Sequence, residues 1–87
     1  MFKAKLTIGH KYYDTKREEI KAEGSTLMKA LGRLKKPEFI KTPGMLEVKY
    51  KGKKTNRHMN IPRMNRLFHE KDYYREILAK NLLLFLK

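Results

Sequence analysis

The feature that most constrains this sequence is a strict alternation of apolar and polar residues near its amino terminus. In the segment FKAKLTI, residues 2–8, every second side chain is apolar, from Phe2 to Ile8, and lysine or threonine lies between. Successive side chains of a β-strand point to opposite faces, so a period of two predicts a strand with one buried and one solvated face. We therefore expect a sheet with one face turned towards a core.

The residues that follow predict a hairpin and a short helix. Residues 14–16 favour a turn, and residues 17–23 return with apolar side chains towards the core and charged side chains towards water. Gly24 ends this strand, and Ser25 is suited to cap a helix because its hydroxyl can accept a hydrogen bond from a free backbone amide. Leucines at helical spacing then continue for about three turns, until Pro37 prevents further helix.

The second half of the chain predicts the same order with a longer helix. Residues 46–50 alternate, Gly52 permits a turn, and residues 57–61 form another alternating segment. Pro62 suits the first turn of a long amphipathic helix, and Asp72 could cap a new helix if the long one breaks there. The apolar residues that recur at helical spacing in this region are Met64, Leu67, Phe68, Tyr74, Ile77, Leu78, Leu82 and Phe85.

This order of elements predicts a small single α+β domain, with an antiparallel sheet of two hairpins packed against two helices in ββαββα order. A length of 87 residues fits one domain with one hydrophobic core. There is no cysteine, so the core must form without disulfides. The alternating amino terminus is unlike a signal peptide, and the longest apolar run, residues 82–86, is far shorter than the ~20 residues of a membrane span. These features favour a cytoplasmic protein.

Charge gives the strongest indication of function. The 22 Lys and Arg residues outnumber the 9 Asp and Glu residues, which gives a net charge of +13. Residues 1–44 contribute +6 (11 basic, 5 acidic) and residues 45–87 contribute +7 (11 basic, 4 acidic), so the charge is not confined to a tail. A polyanion would relieve the resulting self-repulsion, which makes DNA or RNA the expected partner. The competing interpretation is that the charge only keeps the domain soluble.

Catalytic and cofactor motifs are missing from the sequence. The three histidines, His10, His58 and His69, do not have the spacing of metal ligands. His58 and His69 flank a predicted hairpin-to-helix junction, as in ββα-metal nucleases, but no complete nuclease signature accompanies them. Ser25 is the only serine, and the glycines are scattered singly without a phosphate-binding loop. We therefore expect no enzyme, no metal and no cofactor.

Basic residues are predicted to form a phosphate-binding surface around the segment KYKGKKTNR, residues 49–57. Alternation places the lysines of the first and third strands on the open face of the sheet, opposite the core. Cations at a helix start oppose the helix dipole, and a bound phosphate would offset that cost. The predicted contacts are Lys3, Lys5, Lys49 and Lys51 on the open face, Lys53, Lys54 and Arg57 at the hairpin tip, and Arg63 and Arg66 at the helix start. Lysine outnumbers arginine, which favours backbone contacts with little sequence specificity. Glu19, Glu23 and Glu47 could instead neutralise the lysines of the sheet.

Aromatic residues offer a weaker indication of nucleic-acid binding. Tyr12, Tyr13 and Tyr73 are candidates for stacking on bases, whereas Tyr50 and Tyr74 fall on predicted apolar faces. The sequence does not distinguish DNA from RNA.

An alternative function is docking on a larger protein machine. The terminal segment LLLFL, residues 82–86, is apolar on every side, so it could be a helix end, a strand or a docking segment. In that alternative Leu83, Leu84 and Leu86 contact the partner, in the manner of small basic regulators from phages and mobile elements. An exposed apolar terminus would also suit a homodimer.

Overall fold

The alternating segments pair into one four-stranded antiparallel sheet. The computed structural model describes residues 1–9, 17–38 and 40–86. Its elements, in chain order, are β1 (Phe2–Ile8), β2 (Glu18–Gly24), α1 (Leu27–Gly32), β3 (Gly44–Tyr50), β4 (Lys53–Met59), α2 (Ile61–His69) and α3 (Lys71–Leu86). The strand order is β2-β1-β3-β4, so β1 and β3 are central and β2 and β4 are the edges. The predicted α+β class and ββαββα order are confirmed, with the last helical region divided into two helices.

The helices pack on the face of the sheet that carries the apolar residues. Leu6 of β1 and Leu46 of β3 are directly opposite each other and have no exposed surface. Leu31 of α1, Leu67 of α2 and Leu82 of α3 are equally inaccessible and complete the same core. The other face of the sheet is not covered by any helix among the described residues. We call it the open face.

Helix α1 is shorter than predicted and begins one residue later. Thr26, rather than Ser25, is its cap, because the Thr26 hydroxyl accepts a hydrogen bond from the amide of Lys29 at 3.1 Å. The helix ends at Gly32, well before Pro37, because the chain turns there and brings Leu34 into the core. A close approach of β2 to α1 requires Gly24, since a Cβ atom there would lie 2.5 Å from the amide nitrogen of Ala30.

The long helix predicted after Pro62 breaks at Glu70. Asn60 caps α2 by accepting a hydrogen bond from the amide of Arg63 at 2.9 Å, and α3 begins directly after Glu70. Two residues predicted to face the core, Ile77 and Phe85, are instead 41% and 66% exposed, because the buried side of α3 is formed by Leu78, Ala79, Leu82 and Leu86. The terminal segment LLLFL, whose structure the sequence left open, is the last turn and a half of α3.

Some predictions concern parts of the chain that the structure does not describe. The turn at residues 14–16 and the candidate aromatic residues Tyr12 and Tyr13 lie outside the described residues, as does His10.

Candidate nucleic-acid interface

Three lysines lie side by side across the open face. The antiparallel register places Lys49 of β3 directly opposite Lys3 of β1 on one side and Lys54 of β4 on the other. Neighbouring strands are ~4.8 Å apart, so three like charges occupy a width of ~10 Å. Like charges in directly opposite positions destabilise a sheet. Two acids offset part of this repulsion, Glu23 directly opposite Lys3 and Glu47 beside Lys54, and a bound anion would offset more of it.

Glu47 neutralises part of the open face. Its carboxylate oxygens lie 3.3 Å from Lys5 Nζ and 3.4 Å from Lys54 Nζ, so one acid is shared by two predicted phosphate contacts. Burial acts to raise the pKa of Glu47, but hydrogen bonds from the two lysines and the charges of Lys5 and Lys49 outweigh it, so the pKa lies below its ordinary value. The neutralisation expected from the sequence is thus present for Glu47. Among the described residues, Glu19 and Glu23 form no ion pair with the lysines of this face.

The β3–β4 turn does not project beyond the sheet. Lys51 and Gly52 both have positive φ angles, 48° and 79°, which suits a tight two-residue hairpin turn. Tyr50, just before the turn, stacks on Phe2 of β1, with ring centroids 3.9 Å apart, so β1 reaches almost as far as the turn. The hairpin turn predicted at Gly52 is present, but a central strand supports the hairpin nearly to its end.

Lys51 does not belong to the open face, where it was predicted to lie. The turn takes it out of the alternating strand, and its Nζ lies 5.2 Å from the centroid of the Tyr50 ring. Tyr50 shares the helix-covered side of β3 with Leu46 and Val48, so the ammonium group is on that side of the sheet edge. A cation over an aromatic face is held by the ring quadrupole.

Strand β4 divides its basic residues between the two sides of the sheet. Lys54 is opposite Lys49 and faces the open side, whereas Lys53 is opposite Tyr50 and Arg57 is opposite Leu46, which are both on the helix-covered side. The prediction grouped Lys53, Lys54 and Arg57 on one tip; it was wrong because alternation continues through β4. Five exposed lysines nevertheless surround this corner of the sheet, and we call them the lysine corner: Lys3, Lys49, Lys51, Lys53 and Lys54.

The remaining predicted cations gather around Tyr74, on the helix-covered side beyond β4. The guanidinium carbon of Arg66 lies 6.0 Å from the centroid of the Tyr74 ring. Burial raises the pKa of the half-buried Tyr74 phenol, and the positive charges of Arg63, Arg57 and Arg66 oppose that rise. Arg66 also lies 3.7 Å from Glu70 in an exposed ion pair. We call Arg57, Arg63 and Arg66 the arginine cluster.

Sequence reasoning did not include Lys21 among the cations of the open face. Lys21 of β2 is directly opposite Lys5 and is exposed. Its outward direction was predicted, but its position beside Lys5 depends on the register between β1 and β2. Composition alone does not reveal that register.

The three leucines of the alternative docking surface do not lie on one face. Leu84 is 70% exposed, Leu83 is partly buried against the core, and Leu86 is only 4% exposed. The prediction that Leu86 contacts a partner is wrong, because residues 82 and 86 are one helical turn apart and both point into the core.

The two histidines of the described ranges stand apart from each other. His58 is exposed on the open face and His69 is exposed at the end of α2. Within those ranges, no three His, Cys, Asp or Glu side chains come together in a way that could hold a metal ion. In that same part of the chain, no helix is both long enough and apolar enough to cross a membrane.

Comparison of the chain with protein-family models, curated proteins and solved structures found no match. Its function is therefore inferred from the arrangement of its own residues.

Proposed function

We propose that this protein binds nucleic acid through phosphate contacts, without catalysing a reaction on it and with little sequence specificity. The observation that carries the proposal is the lysine corner. Its five exposed lysines converge from β1, β3, β4 and the turn, and among the described residues only Glu47 forms an ion pair with any of them, through Lys54. Such a group of cations is suited to a polyanion because each phosphate contact releases condensed counterions.

The arginine cluster supplies a second contact region in the proposal. Lys53 and Arg57 lie on the same side of β4 and are four residues apart, a distance of ~13 Å along a strand. A nucleic-acid backbone that follows the β4 edge would reach both the lysine corner and the arginine cluster. The guanidinium groups can hold phosphate oxygens in a bidentate way, whereas the lysines act as point charges.

Low specificity follows from the type of side chain available. The lysine corner consists of lysines, which contact phosphates as point charges, and its cations are spread over two sides of a sheet edge. Phosphate contacts position a protein on nucleic acid but carry no sequence information. We therefore expect similar affinities for sequences of equal length and charge.

The test is a binding titration with labelled duplex DNA, single-stranded DNA and structured RNA at several salt concentrations. The informative variant is Lys49→Glu with Lys53→Glu, which removes one exposed lysine from each side of the corner. The matched control is Lys35→Glu with Lys36→Glu, because these exposed lysines lie outside the corner and give the same net charge. We expect the first variant to lose affinity by at least ~100-fold and to flatten the slope of log affinity against log salt by about 2.

Two results would count against the proposal. Equal losses in both variants would mean that only net charge matters and that the corner is not a site. Absence of binding to all three probes at physiological salt by the unaltered protein would exclude nucleic acid as its partner.

A further inference from the structure

Helix α3 presents an apolar stripe to solvent, opposite its buried side. Tyr73, Ile77 and Leu84 are 73%, 41% and 70% exposed. At 100° per residue these three positions fall within a sector of ~40°, so they form one line along the helix. Phe85, 66% exposed, lies beside the end of this line. We call Tyr73, Ile77 and Leu84 the α3 stripe.

The spacing of the α3 stripe is that of a helix-pairing seam. With Lys80 included, the positions are separated by four, three and four residues, which is the a/d repeat of a coiled coil. The long stem of Lys80 can cover apolar surface while its ammonium group reaches water. One lysine in the seam therefore permits pairing and limits its strength.

The charges beside the stripe fit the helix to a second copy of itself. Along the helix axis, the midpoint between Tyr73 and Leu84 falls between residues 78 and 79. The midpoint between Glu76 and Lys80 falls at residue 78. A twofold axis perpendicular to the helix, close to residue 78, would place Tyr73 against the partner's Leu84 and Glu76 against the partner's Lys80. A parallel arrangement would instead bring Glu76 against Glu76 and Lys80 against Lys80. We infer that α3 pairs with α3 of a second copy in antiparallel orientation.

The outward side of α3 carries little net charge, which favours the approach of a second basic molecule there. Among its described side chains, the outward charged residues are Asp72, Glu76 and Lys80, so this side is not basic. Lys80 Nζ lies 3.3 Å from Glu76 Oε1 within one chain, and both residues are exposed and free to exchange partners. Of the lysine corner, Lys3, Lys49 and Lys54 lie on the open face, which the helices do not cover.

Salt should affect this association and nucleic-acid binding in opposite directions. Two copies of net charge +13 repel each other at long range, and salt screens that repulsion beyond ~10 Å at 0.1 M. We therefore expect the dimer to be stronger at high salt, whereas phosphate contacts weaken there. The inference does not depend on the proposed function, and either can fail without the other.

The test is sedimentation velocity of the full chain, free of nucleic acid, over a range of protein concentrations at low and high salt. We expect a monomer–dimer equilibrium that shifts towards dimer as salt rises. Leu84→Glu should weaken the dimer at least ~tenfold by placing a charge in the seam. Lys80→Glu should also weaken it, although that variant lowers the overall repulsion, because the introduced carboxylate would meet the partner's Glu76.

The charge exchange provides the decisive comparison. The double variant Glu76→Lys with Lys80→Glu restores the complementarity across the twofold axis and should recover the dimer. Lys36→Glu is the matched control, since it changes net charge as Lys80→Glu does at an exposed position outside α3 and should not weaken the dimer. Circular dichroism of each variant establishes that it is folded. A protein that stays monomeric at all concentrations and salts, or a dimer that survives Leu84→Glu and Lys80→Glu, would overturn the inference.

Discussion

At the scale of single residues, Glu47 connects the stability of the sheet to its charge. Its carboxylate is shared by Lys5 and Lys54, and its side chain is only 16% exposed. Ionised Glu47 therefore offsets the repulsion between neighbouring lysines on the open face. The same ion pairs hold two lysines that a phosphate could otherwise contact.

We expect the stabilising effect of Glu47 to depend on pH. Its pKa is lowered below 4.5 in the folded protein, so its contribution is fully present above the unfolded pKa near 4.5 and is lost as pH falls through the folded pKa. Glu47→Gln should lower the free energy of unfolding by up to about 1 kcal/mol at pH 7, a small value because both lysines are exposed. Urea denaturation at pH 7 and pH 3 measures this difference, which should shrink at pH 3.

Glu38→Gln is the matched control for that measurement, because it alters the same charge at an exposed position on the connector between α1 and β3. A difference between wild type and Glu47→Gln that is equal at both pH values would contradict the role of the shared carboxylate. The same variant should bind nucleic acid more tightly than Glu38→Gln, since it frees Lys5 and Lys54.

At the scale of elements, the junction of α2 and α3 depends on one arginine. Arg75 Nε donates a hydrogen bond of 3.1 Å to the carbonyl oxygen of Leu67, in a partly buried position. That carbonyl lies in the last turn of α2, where the helix itself provides no amide partner. Arg75 of α3 thus provides a hydrogen-bond donor to the end of the preceding helix and links the two helices.

Removal of this bond should destabilise the fold more than removal of an exposed one. We expect Arg75→Met to lower the free energy of unfolding by about 1.5–3 kcal/mol, because a partly buried carbonyl loses a charged donor. Arg33→Met is the control, since Arg33 also donates to a carbonyl, that of Glu23 at 2.9 Å, but in an exposed position. Chemical denaturation of both variants gives the comparison, and equal losses would show that burial of the bond has no effect.

The elements also show which predictions local sequence can support. Alternation identified β1 and β3 correctly, because the apolar residues whose spacing predicts each strand are also the residues that the core buries. Apolar periodicity could not place the break between α2 and α3, since apolar residues recur at helical spacing on both sides of it. The capping potential of Asp72 did indicate a break, two residues beyond its actual place at Glu70. The placement of the basic residues of β4 on two sides of the sheet was also missed. The strand begins at Lys53, four residues before the predicted start, and alternation from Lys53 onward decides the side of each basic residue.

At the scale of the whole molecule, net charge opposes folding. A compact domain with a charge of +13 holds its cations closer together than the unfolded chain does. Unlike the ion pairs of Glu47, this repulsion acts among all the basic residues of the domain. It is screened by any dissolved salt and is relieved more strongly by a bound polyanion.

We expect the melting temperature to rise by several degrees between about 0.02 M and 0.5 M sodium chloride, because screening removes self-repulsion. At the lower salt concentration, a short single-stranded oligonucleotide should raise the melting temperature further, since it binds the folded state. At the higher concentration this additional rise should disappear. Scanning calorimetry with and without the oligonucleotide measures both effects, and a melting temperature that falls with added chloride would contradict this account.

The placement of β1 also has a consequence for how the protein is made. Ala4 of β1 pairs with Val48 of β3, so the centre of the sheet joins residues that are far apart in the chain. As the protein leaves the ribosome, β1 emerges well before β3 and can pair only with β2, an edge strand with few apolar residues. Phe2, Leu6 and Ile8 therefore lack their neighbours in β3 until the middle of the chain has been translated. We therefore expect the sheet to form late in synthesis and in a nearly all-or-none step.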